Sequence, residues 1–246
     1  MKPPVMAGVI ERRLIVNYRV APDVAAALLP PPLRPQLVGD AAVGGICLIR
    51  LGKLRPRGIP AWMGLRSENA AHRIAVEWDS ERGVESGVYI PRRDSAALTN
   101  VMVAGRLFPG DQSYARFEVD ERIDDLRVAF ESRDGDVRVA VHAVAAPSFG
   151  GNALFADLDV ASQFFRAGSL GYSPRRAGTE LDGLELETPE WRVEPVRLLE
   201  ARSSYFDDPE RFPAGSATLD CALLMRDVSA RWVPRAALHD EAYVTS

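Results

Sequence analysis

Four side chains in one short stretch have the types and spacing to do chemistry: Glu68, His72, Arg92 and Arg93, all within RSENAAHRIAVEWDSERGVESGVYIPRRD, residues 66–94. Alternate side chains of an extended strand share a face. Glu68 and His72 therefore fall with Ala70, Ile74, Val76 and Trp78, the apolar and so inward set, while Ser67, Asn69, Ala71, Arg73, Ala75 and Glu77 take the other face. An inward carboxylate must be paired, hydrogen-bonded or protonated. Such a glutamate can move protons, with His72 as its partner. The competing reading has Glu68 ion-paired or solvated at the strand mouth and His72 simply packed.

The second half of the stretch alternates Val88, Ile90 and Arg92 with Gly87, Tyr89, Pro91 and Arg93. A proline in a strand marks an edge, a bulge or an end. The two arginines then diverge, and strict alternation turns only one of them inward. An inward arginine grips a carboxylate through paired N–H···O bonds. Two solvated arginines at a strand end are the competing reading. Tyr89 and Trp62, the latter in the loop RPRGIPAWMG (55–64), are further candidate ligand contacts; packing of Trp62 or a lid role are both open.

These residues need elements to hold them. Residues 66–94 predict two strands joined by a polar turn. Before them come a strand over 9–20, a short helix over 22–29 opened by Pro22-Asp23 and closed by Pro30, and a hairpin over 36–51 turning at Gly39-Asp40. After them come a helix over 95–110 and a three-strand meander over 112–120, 125–132 and 136–146. A helix over 158–168 closed by Gly168 follows, then a long strand or a hairpin around Pro189 over 183–200. A turn-rich loop over 205–215, an apolar strand over 216–226 and a peripheral tail to Ser246 complete the chain. About ten strands with three short helices exclude a doubly wound parallel sheet and predict an α+β, mainly β fold of antiparallel, barrel-like curved sheets. One domain over 1–246, with its core over about 8–230, accounts for the length.

Composition narrows the function classes. Hydrophobic content of 47% and charged content of 26% suit a soluble globular chain. The net charge of −4 argues against general nucleic-acid binding, and the cluster Arg50, Lys53, Arg55, Arg57 reads as a solvated loop. The N-terminus lacks an apolar signal core and no run is long enough to span a membrane, so a cytoplasmic protein is expected. Cys47 and Cys221 both sit in apolar runs and read as buried; a disulfide between them is left open. His72, His142 and His239 stand far apart and the cysteines are not spaced as zinc ligands, so no metal site is expected. No GxGxxG, GxxxxGK[ST] or GxSxG motif occurs, and no cofactor is expected. Lys2 and Lys53 are the only lysines, so a Schiff-base mechanism would have to use one of them.

A glutamate-bearing strand, a turn, and then Pro with two basic residues resembles the acetoacetate decarboxylase-like superfamily. LPPPLRPQLV, CLIRLGKLRPRGIP, SENAAHRIAVEW, GVYIPRRD, AGSLGYS, WRVEP and DCALLMR resemble its uncharacterised YqjF-like branch, over roughly residues 8–230. In the decarboxylases two lysines follow the proline, the first forming the Schiff base, and a glutamate on the preceding strand shares the site. The resemblance implies that Glu68 matches that glutamate and that Arg92 and Arg93 replace the lysines. It adds Arg19, near the end of the first strand, as a ligand contact, because related enzymes draw an arginine from their N-terminal part. Arginine stays protonated and cannot be the amine nucleophile, so decarboxylation through a lysine adduct is not expected.

Two functions stand close together on these grounds. In one, an enzyme of lyase, dehydratase or cyclase type acts on a small carboxylate or keto compound, with Arg92 holding the carboxylate or enolate and Glu68 and His72 moving protons. In the other, the same pocket binds such a molecule without turning it over. A structural role, with the pocket filled by its own side chains, ranks behind both. A homo-oligomer is compatible with such sheets.

Overall fold

A computed structural model describes residues 3–97, 109–110, 112–150, 152–175 and 180–239. Thirteen strands form one continuous sheet: β1 (Met6–Val20), β2 (Arg34–Pro35), β3 (Leu37–Val38), β4 (Ala41–Pro56), β5 (Leu65–Ser80), β6 (Gly83–Ser95), β7 (Gln112–Glu121), β8 (Asp125–Ser132), β9 (Arg138–Ala145), β10 (Leu170–Pro174), β11 (Leu181–Glu187), β12 (Glu194–Ser203) and β13 (Ala217–Leu238). Helix α1 (Pro22–Ala27) follows β1. Helix α2 (Leu158–Ala167) precedes β10 and is opened by the Asp157 carboxylate, which accepts from the Val160 N–H.

The pairings close this sheet into two rings that share a wall. One ring runs β6-β7-β8-β9-β12-β13-β1-β4-β5 and returns to β6. The other runs β6-β10-β11-β13-β1-β4-β5 and also returns to β6. Strands β13, β1, β4, β5 and β6 belong to both. Each has one side-chain face in each ring, so both faces are buried. That is why GGICLIRL in β4 is nearly continuous in apolar residues rather than alternating. Leu14, Val16, Ile46, Leu48, Ala70, Ile74 and Val76 fill the first ring with Val128, Phe130, Val139 and Val141. Ile15, Cys47, Ala75 and Leu223 face the second ring, where α2 adds Ala161 and Phe165.

The pairing is antiparallel except where β6 runs parallel to β7 and to β10. Residues 183–200 are not one strand or a hairpin. β11 pairs with Arg231–Leu238 of β13, whereas β12 pairs with Ala222–Leu224 and with β9, so the connection carries the chain from one ring to the other. Nor is the tail peripheral throughout, since β13 continues to Leu238 and closes the second ring. The helix expected over 95–110 falls mostly outside the described residues, and Ser95 ends β6. Cys47 and Cys221 are free and buried. No helix among the described residues is long and apolar enough to cross a membrane.

Candidate functional site

On β5, Glu68, Ala70, His72, Ile74, Val76 and Trp78 do share one face, and it is the first ring's interior. Glu68 lies at one end of that ring within a closed set of four charges. Its carboxylate accepts from Arg12 Nη2 and Arg50 Nε, both at 2.5 Å. The same two arginines donate to Glu121 of β7, at 3.2 and 2.7 Å. Arg12 is only 1% exposed. Neither Arg92 nor His72 is a partner of Glu68.

His72 is fully buried on the same face. Its ring packs on Tyr205 with centroids 4.3 Å apart, and neither ring nitrogen has a hydrogen-bond partner among the described residues. Burial, with the nearby Arg92 and Arg211 charges, holds its pKa down at about 3, so it is neutral near pH 7. Tyr205, Phe206 and Phe212 come from the 204–216 loop and, with Tyr18, plug this end of the ring.

The two adjacent arginines diverge. A bulge between the His72↔Arg92 and Ile74↔Tyr89 pairs inserts one extra residue in β6 at Ile90-Pro91. Parity flips there, so Tyr89 and Arg92 share the first-ring face although plain alternation separates them. Tyr89 is a buried member of that core. Arg92 is held by carboxylates: Asp94 at 3.0 Å, Asp134 at 2.8 Å and Asp136 at 3.5 Å. Arg93, opposite Ala71, faces the second ring. Its Nε donates to the Pro109 carbonyl at 3.0 Å and its Nη2 to Ser173 Oγ at 3.4 Å. No carboxylate pairs with it among the described residues, and desolvation lowers its pKa to about 10.

Arg93 borders a cavity of about 70 Å³ lined also by Ile49, Leu51, Asn69, Ala70, Ala71, Asp94, Ser95, Gln112 and Trp232, and the Asp94 carboxylate there is already paired with Arg92. The walls are apolar on β4 and β13 and polar on β5 and β6. Asn69 is fixed there, because its Oδ1 accepts from Ser95 Oγ at 2.8 Å and its Nδ2 donates to Ser67 Oγ at 2.9 Å. The other two expected contacts lie elsewhere. Trp62 sits in a 3-10 turn, 83% exposed, and among the described residues Arg19 pairs with the solvated Asp40 at 3.7 Å. Lys53 is an exposed residue of β4 with φ of 52° and does not line this cavity.

The structure therefore separates the four chemistry-bearing residues of the hairpin. Glu68, His72 and Arg92 face the packed first ring, and Arg93 faces the second. Sequence reasoning placed Asn69 on the outward face and did not single out Ser95, Gln112 or Trp232. The signal available for Asn69 was the unbroken apolar run of β4 beside it, which marks a wall buried on both sides.

Solved structures share this twin-ring architecture, which is that of the acetoacetate decarboxylase-like proteins. The acetoacetate decarboxylase of Legionella pneumophila subsp. pneumophila str. Philadelphia 1 is 13% identical, with a TM-score of 0.57 over 98% of this chain and 89% of that one. An acetoacetate decarboxylase-like enzyme from Sphingomonas wittichii RW1 is 11% identical, with a TM-score of 0.60 over 97% and 94%. The enduracididine biosynthesis enzyme MppR, complexed with the condensation product of pyruvate and imidazole 4-carboxaldehyde, is 14% identical, with a TM-score of 0.59 over 99% and 91%. Such identities establish a common fold. No curated protein matches the sequence. The DUF2071 family, described as "Uncharacterized conserved protein", matches residues 9–239, and the chain belongs to that family.

Proposed function

We propose that this protein binds a small carboxylate or keto acid in the second-ring cavity, with Arg93 pairing with the carboxylate. One contrast carries the reading. Arg92 is saturated by three aspartates, whereas Arg93 borders a cavity and meets only two neutral oxygens among the described residues. A desolvated guanidinium without a counter-charge favours an anion, and Arg suits the planar carboxylate. Ile49, Leu51 and Trp232 would hold the ligand's carbon end. The volume fits a molecule of a few heavy atoms. The MppR neighbour, captured with pyruvate, supports that class.

Among the described residues no lysine that could form a covalent adduct lies on this cavity's wall. The chemistry compatible with Arg93 is stabilisation of an enolate or oxyanion, as lyase, dehydratase or cyclase reactions require. Binding without turnover is the alternative, and the presence of enzymes among the fold neighbours favours the first. Calorimetric titration of pyruvate and acetoacetate into wild type and Arg93→Met tests the reading. Loss of one charge-assisted pair, worth about 2–3 kcal/mol, should weaken binding roughly 30- to 150-fold. Equal affinity in both proteins would overturn it.

A further inference from the structure

The connection from β4 to β5 is a projecting hairpin tip that the described residues leave uncovered. Strand pairing ends there at Leu54↔Leu65. Beyond it Trp62 is 83% exposed, and Ile59, Met63 and Leu65 are exposed with it. Large apolar side chains scattered singly are ordinary, but several gathered on one short connection mark a contact surface. Lys53, Arg55, Arg57 and Arg66 make the same tip positive. A groove of about 380 Å³ separates this tip from the β7–β8 turn, with Lys53 and Arg66 on one bank and Glu121, Arg226 and Asp227 on the other. Arg226 Nη2 donates to the Ile123 carbonyl at 3.0 Å, so the turn over residues 120–125 stands on the second bank. It presents Ile123, 85% exposed, among Asp120, Asp124 and Asp125.

Two residues on this groove have unusual backbone. Lys53 and Asp227 adopt φ of 52° and 53°, the left-handed region that residues other than glycine rarely enter. They stand on β4 and β13, the two neighbours of β1. Lys53 falls where β4 carries one extra residue against Ala7 and Val9. Both side chains are exposed and opposite in charge, and neither has an ion-pair partner among the described residues; the same holds for Arg57 and Asp124. The backbone is thus strained at two points to present a cation and an anion that no described side chain of the molecule uses.

We infer that this end of the molecule is the face of a two-fold dimer, its partner a second copy of the chain. A two-fold axis over β1 exchanges the β4 side with the β13 side. Lys53 then meets Asp227 of the partner subunit, and the partner's Lys53 meets Asp227, so the ion pair forms twice. The same rotation lays the acidic turn with Ile123 against the apolar, basic tip around the partner's Trp62. The arrangement of sign selects the occupant. A patch with both signs side by side suits its own rotated copy, whereas an anionic lipid surface would meet the carboxylates of Asp124 and Asp227. The Arg93 cavity takes no part in this contact. With so few side chains engaged the interface is small, and dilute protein is monomeric, so unfolding measured on the monomer does not sense the contact.

Sedimentation equilibrium of the full chain over about 2–200 μM should show monomer and dimer in exchange. The balance should move toward monomer as salt rises from about 50 to about 500 mM. Lys53→Glu and Asp227→Lys should each weaken self-association at least about tenfold, since every substitution acts twice across the axis. Mixing the two variants should restore association, because each supplies the charge the other lacks. A merely structural role for either residue does not produce that rescue. Should Asp227→Lys not fold, Ile123→Asp tests the same contact from an 85% exposed turn position and should weaken association likewise. A chain that stays monomeric throughout the range, a dimer indifferent to these substitutions, or folded variants that remain apart when mixed would overturn the inference. Sedimentation with phosphatidylserine vesicles in place of self-association would overturn it too.

Discussion

Replacing Glu68 by glutamine keeps the side chain's shape and removes one of four charges. In the native ring Arg12 and Arg50 face Glu68 and Glu121, two positive against two negative. Glu68→Gln leaves two guanidiniums on a single carboxylate, with Arg12 only 1% exposed and unable to turn to water. Breaking a buried pair costs about 3–5 kcal/mol. Because Glu68 and Arg50 are 17% and 19% exposed, the lower end applies, about 3 kcal/mol. For a chain of this size that lowers the melting temperature by about 6–12 °C. Calorimetry and urea unfolding measure it, and titration with pyruvate at a temperature where both proteins are folded measures function. The expected result is a large loss of stability with unchanged affinity. A melting temperature within about 2 °C of wild type, or an affinity that falls with the charge, would refute the argument and return Glu68 to the ligand site.

Three further predictions follow from the same geometry. His72 titrates at about 3 when folded and near 6.5 when unfolded, so the unfolded chain takes up its proton first. No penalty exists above pH 6.5, and stability falls as pH drops through the window from 6.5 to 3, by about 2 kcal/mol at pH 5. In His72→Phe that share should vanish, and a wild-type-minus-variant difference that does not change between pH 7 and pH 5 would contradict it. Trp62→Ala, at an 83% exposed site, should change unfolding free energy by less than about 0.5 kcal/mol and leave pyruvate binding intact; a larger effect on titration would make it a ligand contact. Gly45→Ala should cost about 1–3 kcal/mol in denaturant unfolding, because the new methyl meets the fixed Val16 carbonyl, and a neutral result would rule out that tight fit.

Much of the architecture is legible in local pattern. The strand periods, the Gly39-Asp40 turn and the close of α2 at Gly168 depend on neighbours in sequence, and they appear as expected. The shared face of Glu68, His72 and Trp78 was also readable. What alternation cannot report is whether the second face is solvated. In β5 the Asn69, Ala71, Arg73 set looks polar enough for water, yet it is buried or half-buried because the second ring closes over it. That closure depends on β11 meeting β13, a pairing between residues about fifty apart that no local signal encodes. The bulge at Ile90-Pro91 is the other gap. Proline announced a departure from strict pairing, but a one-residue insertion reverses every later side chain, and so decides that Arg93 rather than Arg92 reaches the cavity.

The central claim is that Arg93 is an anion receptor rather than a structural cation, and one pair of calorimetric experiments addresses it directly. A desolvated guanidinium without a carboxylate contributes little to folding, so Arg93→Met should be as stable as wild type, or more so, without ligand. Saturating pyruvate should raise the melting temperature of wild type and leave that of Arg93→Met unmoved. A variant that is strongly destabilised yet still stabilised by pyruvate would contradict the account.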